Sequence, residues 1–107
     1  MRAHPLVGVL GGALFLLLPH CSGTFSDLCE REKTCEGGND ADVDACVERI
    51  RGGEDIASAY DCGDPFDKLI DCLDSKASCV NGKINDDGCK AEEDALESCQ
   101  KAASGRK

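Results

Sequence analysis

No tryptophan occurs in this chain, and its two histidines, His4 and His20, both lie near the start. Whatever follows residue 23 therefore has no imidazole to act as a general base, to activate a nucleophile or to ligate a metal. Ser-His and Cys-His catalysis are excluded there. Without tryptophan, and without the bulk to enclose a sugar, a carboxylate pair such as Glu92-Glu93 reads as a solvated helix face rather than a glycosidase pair. Basic residues are in the minority as well. Removing residues 1–23 takes away Arg2 and no acidic residue, leaving 11 Lys plus Arg against 21 Asp plus Glu, a net charge of −10. Nucleic acid and anionic membrane surfaces would be repelled by such a domain, whereas a cationic protein target would not.

Long apolar runs are scarce too. The single one, Leu6 to Leu18 (LVGVLGGALFLLL), follows Arg2 and precedes Pro19-His20-Cys21-Ser22-Gly23. As a helix it rises only about 20 Å, short of the roughly 30 Å of bilayer hydrocarbon, so the pattern is that of a cleaved signal peptide, residues 1–23. Two processing schemes compete. In one, Cys21 becomes the acylated first residue of a lipoprotein, with Leu18 suiting that motif and His20 departing from it. In the other, Cys21 and Gly23 are the small residues before a cleavage at Thr24. No second run of spanning length follows, so the expected product is an exported single domain, residues 24–107, with no transmembrane helix and with Cys21 as its only candidate for a lipid anchor.

Cysteine is what the chain does have. Of nine, Cys21 is acylated or discarded, which leaves Cys29, Cys35, Cys46, Cys62, Cys72, Cys79, Cys89 and Cys99. An even set in a small exported domain reads as a disulfide framework. The large apolar residues after position 23 make a thin core, and chain entropy opposes folding by roughly 1–2 kcal/mol per residue, so disulfides worth about 2–4 kcal/mol each become indispensable. There are no adjacent cysteines, no Cys-x-Cys and no Cys-x-x-Cys. That excludes the plant lipid-transfer pattern, thioredoxin-type redox sites and zinc ribbons. Thiolate metal binding is disfavoured because the spacings are wide and the compartment oxidising, and no cofactor is expected.

The periodicity predicts an all-α fold, a small disulfide-rich bundle of four to five short helices. The first runs from about Ser26, as N-cap, to Glu36 and ends at Gly37-Gly38. The second starts after Asn39-Asp40 with Val43, Cys46, Val47 and Ile50 on one face, and Gly52-Gly53 stops or kinks it. A short continuation from Glu54 to Asp61, separate or as one bent helix with the last, offers Ile56, Ala59 and Tyr60 inward. Asp64-Pro65 opens the next, with Phe66, Leu69, Ile70 and Leu73 in step. Asn81-Gly82, between β-branched neighbours, predicts a hairpin turn near residues 79–85. Asn85-Asp86-Asp87 caps a last helix to about Ala102, with Ala95, Leu96 and Cys99 inward. Two calcium-loop registers fail on chemistry. Asp40-x-Asp42-x-Asp44 has Ala45 for the turn glycine and Arg51 for the bidentate glutamate, and the register containing Asn85, Asp87, Gly88 and Asp94 begins with Lys83. Helix capping explains both.

Cys62-x9-Cys72 and Cys89-x9-Cys99, on two helices with a turn between, are similar to the twin Cys-x9-Cys hairpin of mitochondrial intermembrane proteins, over residues 62–99 only. Such a hairpin, centred near Gly82, implies the nested pairs Cys62–Cys99 and Cys72–Cys89. The chain departs from that family in its signal segment and in Cys79, so convergence is the reading. Cys29, Cys35, Cys46 and Cys79 are left for two more bonds, with Cys79–Cys89 as a competing pair. Taken whole, the precursor resembles the small, acidic, cysteine-rich exported proteins and predicted lipoproteins of myxobacteria, in style rather than by a motif. The expected role is a non-enzymatic structural or protein-binding module. A secreted effector, toxin or inhibitor is the first alternative, and a thiol-based redox or metal-carrying protein the second.

Overall fold

Phe25, Leu28 and Cys29 recur at i, i+3, i+4, and this series sets the first helix of the computed structural model, which describes the backbone of residues 21–105 and side chains from Thr24 onward. Helix α1 spans Cys21–Glu36. The sequence places its start at Ser26, but Ser26 is exposed inside the helix, because buried Phe25 belongs to the packed face and draws the helix start upstream. The signal-segment reading falls on residues outside those described, as does the side chain of Cys21. Gly37 ends α1 in a left-handed conformation, φ +79°, and the N–H groups of Gly37 and Gly38 both donate to the Lys33 carbonyl at 2.9 and 3.0 Å. Only glycine takes that backbone shape without steric cost.

Helix α2, Asp40–Ala59, opens on a capping box. Asn39 Oδ1 accepts from the N–H groups of Ala41 and Asp42 at 2.8 and 3.2 Å, and Asp42 Oδ2 accepts from the Asn39 N–H at 2.8 Å, so capping is where these side chains go. The helix continues unbroken through Gly52-Gly53, which therefore do not stop it. Cys46, Ile50, Gly53 and Ala57 form one continuous inward stripe, and Gly53 packs close to the Phe66 ring. That stripe also resets the phase of the last two turns: Ala57 is buried, while Ile56 and Ala59 face solvent and Tyr60 is half-buried.

Helix α3 spans Gly63–Lys76 with Cys62, not Asp64, at its N-cap. Pro65 falls in the first turn, where its missing N–H is not needed, and the Phe66 N–H makes the i to i−4 bond to the Cys62 carbonyl at 3.2 Å. Strands β1, Ser78–Val80, and β2, Lys83–Asn85, pair antiparallel with Val80 opposite Lys83 and Cys79 opposite Ile84. Asn81 and Gly82 between them both have positive φ, 54° and 77°, the type I′ geometry that matches strand twist. A 3₁₀ turn, Asp87–Cys89, leads into α4, Lys90–Ser104. The Asn85 side chain accepts from the Asp87 N–H at 3.1 Å in a local turn. The N-cap of the 3₁₀ turn is Asp86 and that of α4 is Cys89, neither with a side-chain cap bond, so Asn85-Asp86-Asp87 do not cap α4, contrary to expectation. Leu96 and Cys99 are half-buried on the inward side of α4, whereas Ala95 is exposed.

The result is a disulfide-rich all-α fold of two antiparallel helical pairs, α1–α2 and α3–α4, with the small hairpin at one end. Cys29–Cys46 fastens the first pair; Cys62–Cys99 and Cys72–Cys89 fasten the second; Cys35–Cys79 joins the two. Their sequence separations, 17 to 44 residues, correspond to about 3–4 kcal/mol each in a chain-entropy account. Buried cysteines outnumber every other buried residue type. The rest of the buried core is Phe25, Ala57, Phe66 and Ile70, gathered at the end where α1 begins, α2 ends and α3 begins. Among the described residues no helix is long and apolar enough to cross a membrane.

Candidate functional site

Beside the apolar core, the helices and the β-hairpin leave an open groove of about 820 Å³. Its floor is Leu28 of α1, Ile50 of α2, Leu73 near the end of α3, Ala77 just beyond it, and Ile84 of β2. Each is half-buried, so the groove presents aliphatic surface between elements that meet only through side chains. Its far wall is the β-hairpin, held to α1 by Cys35–Cys79.

Charged groups frame the floor and tie its walls together. Arg31 Nη2 reaches across from α1 to Asp74 Oδ1 at 3.3 Å and donates to the Leu73 carbonyl at 3.4 Å. Arg49 of α2 pairs with Glu32 of α1 at 3.3 Å. Glu36 Oε2 accepts from the Ile84 N–H at 3.3 Å, which satisfies an outward-facing amide of the hairpin. Behind the groove, hydrogen bonds to Glu30 and Asp40 hold the Lys33 ammonium above its ordinary pKa. All these pairs are largely solvated, so they orient the walls more than they stabilise them. The lining thus carries both signs, Arg31 and Arg49 beside Glu30, Glu32 and Asp86, with Glu30 held by Lys33.

The structure places each expected cysteine in a disulfide: Cys62 with Cys99, Cys72 with Cys89, Cys29 with Cys46 and Cys35 with Cys79. Cys89 faces Cys72 from the 3₁₀ turn, while Cys79 faces away from it toward α1. Glu92 and Glu93 are half-buried rather than solvated. Glu92 Oε1 is enclosed without a hydrogen-bond partner, beside Cys72 and Cys89. Three potential metal ligands thus converge there, but two of them are sulfurs already bonded to each other and carry no thiolate charge to offer a cation. The groove itself escaped the sequence reading. Its floor residues come from four elements and share no spacing, and only the tie between Cys35 and Cys79 would have brought them together.

Compared with known proteins, the chain matches no family model, no curated protein and no solved structure.

Proposed function

We propose that this chain is an exported, non-catalytic binding module that holds an apolar, positively charged segment of a protein partner in the groove between its two helical pairs. The observation that carries this reading is the groove: a half-buried aliphatic floor of Leu28, Ile50, Leu73 and Ile84, framed by Arg31 and Arg49 and by Glu30, Glu32 and Asp86. In a domain of net charge −10 after residue 23, a segment combining aliphatic side chains with Lys or Arg meets both the floor and the field around it. The leader-like start, residues 1–23, and the even cysteine set support export, to the periplasm or cell envelope if Cys21 is acylated and otherwise to the periplasm or beyond. A released effector or inhibitor would use the same surface on a foreign target.

Ile84 is the residue through which to test this, since it lines the groove without belonging to the apolar core. Peptides selected from a displayed library on the native protein are expected to be enriched in aliphatic residues mixed with Lys and Arg. Ile84→Lys should abolish their binding while leaving the helical circular dichroism intact. Selection of acidic peptides, or binding indifferent to Ile84→Lys, would contradict the reading.

A further inference from the structure

The four disulfides are not equivalent. Cys29–Cys46 and Cys72–Cys89 are buried at both ends, and Cys62 is fully buried while Cys99, on α4, is half-buried. Cys35–Cys79 differs: Cys35 is half-buried but Cys79 is exposed, and both lie on the groove wall. It differs in topology too. The other three each close a bond within one helical pair, whereas this one joins α1 to the hairpin beyond α3, and so is the sole covalent tie between the pairs besides the chain itself. Opposite it, at the far end, the halves are held by Phe25, Ala57, Phe66 and Ile70.

We propose that Cys35–Cys79 is a thiol–disulfide exchange site for exported dithiols, and that its reduction frees the hairpin wall of the groove while the core end stays closed. Exchange requires in-line access of a thiolate to one sulfur, which only an exposed disulfide grants freely. A thiolate of the dithiol attacks Cys79 Sγ, forming a mixed disulfide and breaking the bond to Cys35. Cys35 leaves as a thiolate and takes up a proton. The second thiol of the dithiol, deprotonated, then attacks its own sulfur in the mixed disulfide, releasing Cys79, which is protonated in turn. Two electrons and two protons pass from the dithiol to the cysteine pair, and the dithiol leaves as a disulfide. The polar contacts that then remain from α1 across the groove are the solvated hydrogen bonds of Arg31 to Asp74 and the Leu73 carbonyl and the Glu36 bond to the Ile84 N–H, none strong enough to fix the wall.

Titrating the native protein with dithiothreitol, quenching with iodoacetamide and mapping the adducts tests this. The first alkylated species should carry two adducts, on Cys35 and Cys79, with helical circular dichroism unchanged and faster hydrogen exchange at the Ile84 amide. First adducts on any other pair, or all four bonds opening together with loss of helix, would overturn it. In the double variant Cys35→Ser, Cys79→Ser the early species should vanish, and its persistence would also overturn the proposal. The unmodified protein decides the matter by itself if that variant does not fold.

Discussion

Phe25 and Phe66 are two of the three phenylalanines in the chain, and they meet edge to face with ring centroids 6.3 Å apart and planes 88° to one another. That geometry sets the positive edge of one ring against the negative face of the other. Both rings are buried, and they carry most of the non-sulfur core volume where the helical pairs converge. Phe25→Ala should therefore lower unfolding stability by roughly 3–5 kcal/mol, the usual cost of truncating a buried aromatic, as measured by urea denaturation with the disulfides intact. A loss near zero would mean that the disulfides hold the pairs together without the aromatic contact. On the surface, by contrast, single residues do little. The hydrogen bond from Lys101 holds the Glu97 carboxyl below its ordinary pKa. Its small contribution is complete above that ordinary value and fades as pH falls through the lowered one.

At the scale of elements, α2 departs most from its local signals. Two consecutive glycines ordinarily end a helix, yet α2 continues across them because Cys46, Ile50, Gly53 and Ala57 present one stripe to the rest of the fold. Gly52 lies on the exposed side, where an added Cβ would meet nothing. Gly52→Ala should raise stability by about 0.5–1 kcal/mol, since it removes backbone freedom from the unfolded chain and costs nothing in the folded one. Thermal melting checks this, and a destabilised variant would mean that the helix breaks at the glycines after all. Local chemistry was readable wherever it alone decided the outcome. The Asn39 cap, the end of α1 at Gly37 and the Asn81-Gly82 turn each depend on a few neighbouring residues, and all could be read from the sequence. The continuity of α2 and the inward turn of Ala57 were not readable, because the Phe66 ring that packs beside Gly53 lies in another helix. The start of α1 was misplaced for a similar reason: Ser26 is a good cap, but burying Phe25 outweighs it. The groove was hidden for want of long-range information, since Cys79 could have closed a short loop to Cys89 instead of reaching α1.

Taken as a whole, the molecule substitutes sulfur for hydrocarbon. Among the described residues most buried side chains are half-cystines; three disulfides fasten the helical hairpins, and Cys35–Cys79 joins the two. The strongly acidic balance remains on the outside, since no charged residue is buried among those described. Such a design suits an oxidising compartment and fails in a reducing one. The state of the cysteines in the protein as isolated is therefore decisive. The intact mass before and after alkylation, with and without reductant, reads it most directly. The predicted result is a mass that begins at Thr24, or at an acylated Cys21, takes up no alkyl group as isolated, and gains one at each of Cys29, Cys35, Cys46, Cys62, Cys72, Cys79, Cys89 and Cys99 after full reduction under denaturing conditions. Alkylation without reductant, or a mass that retains residues 1–20, would contradict it.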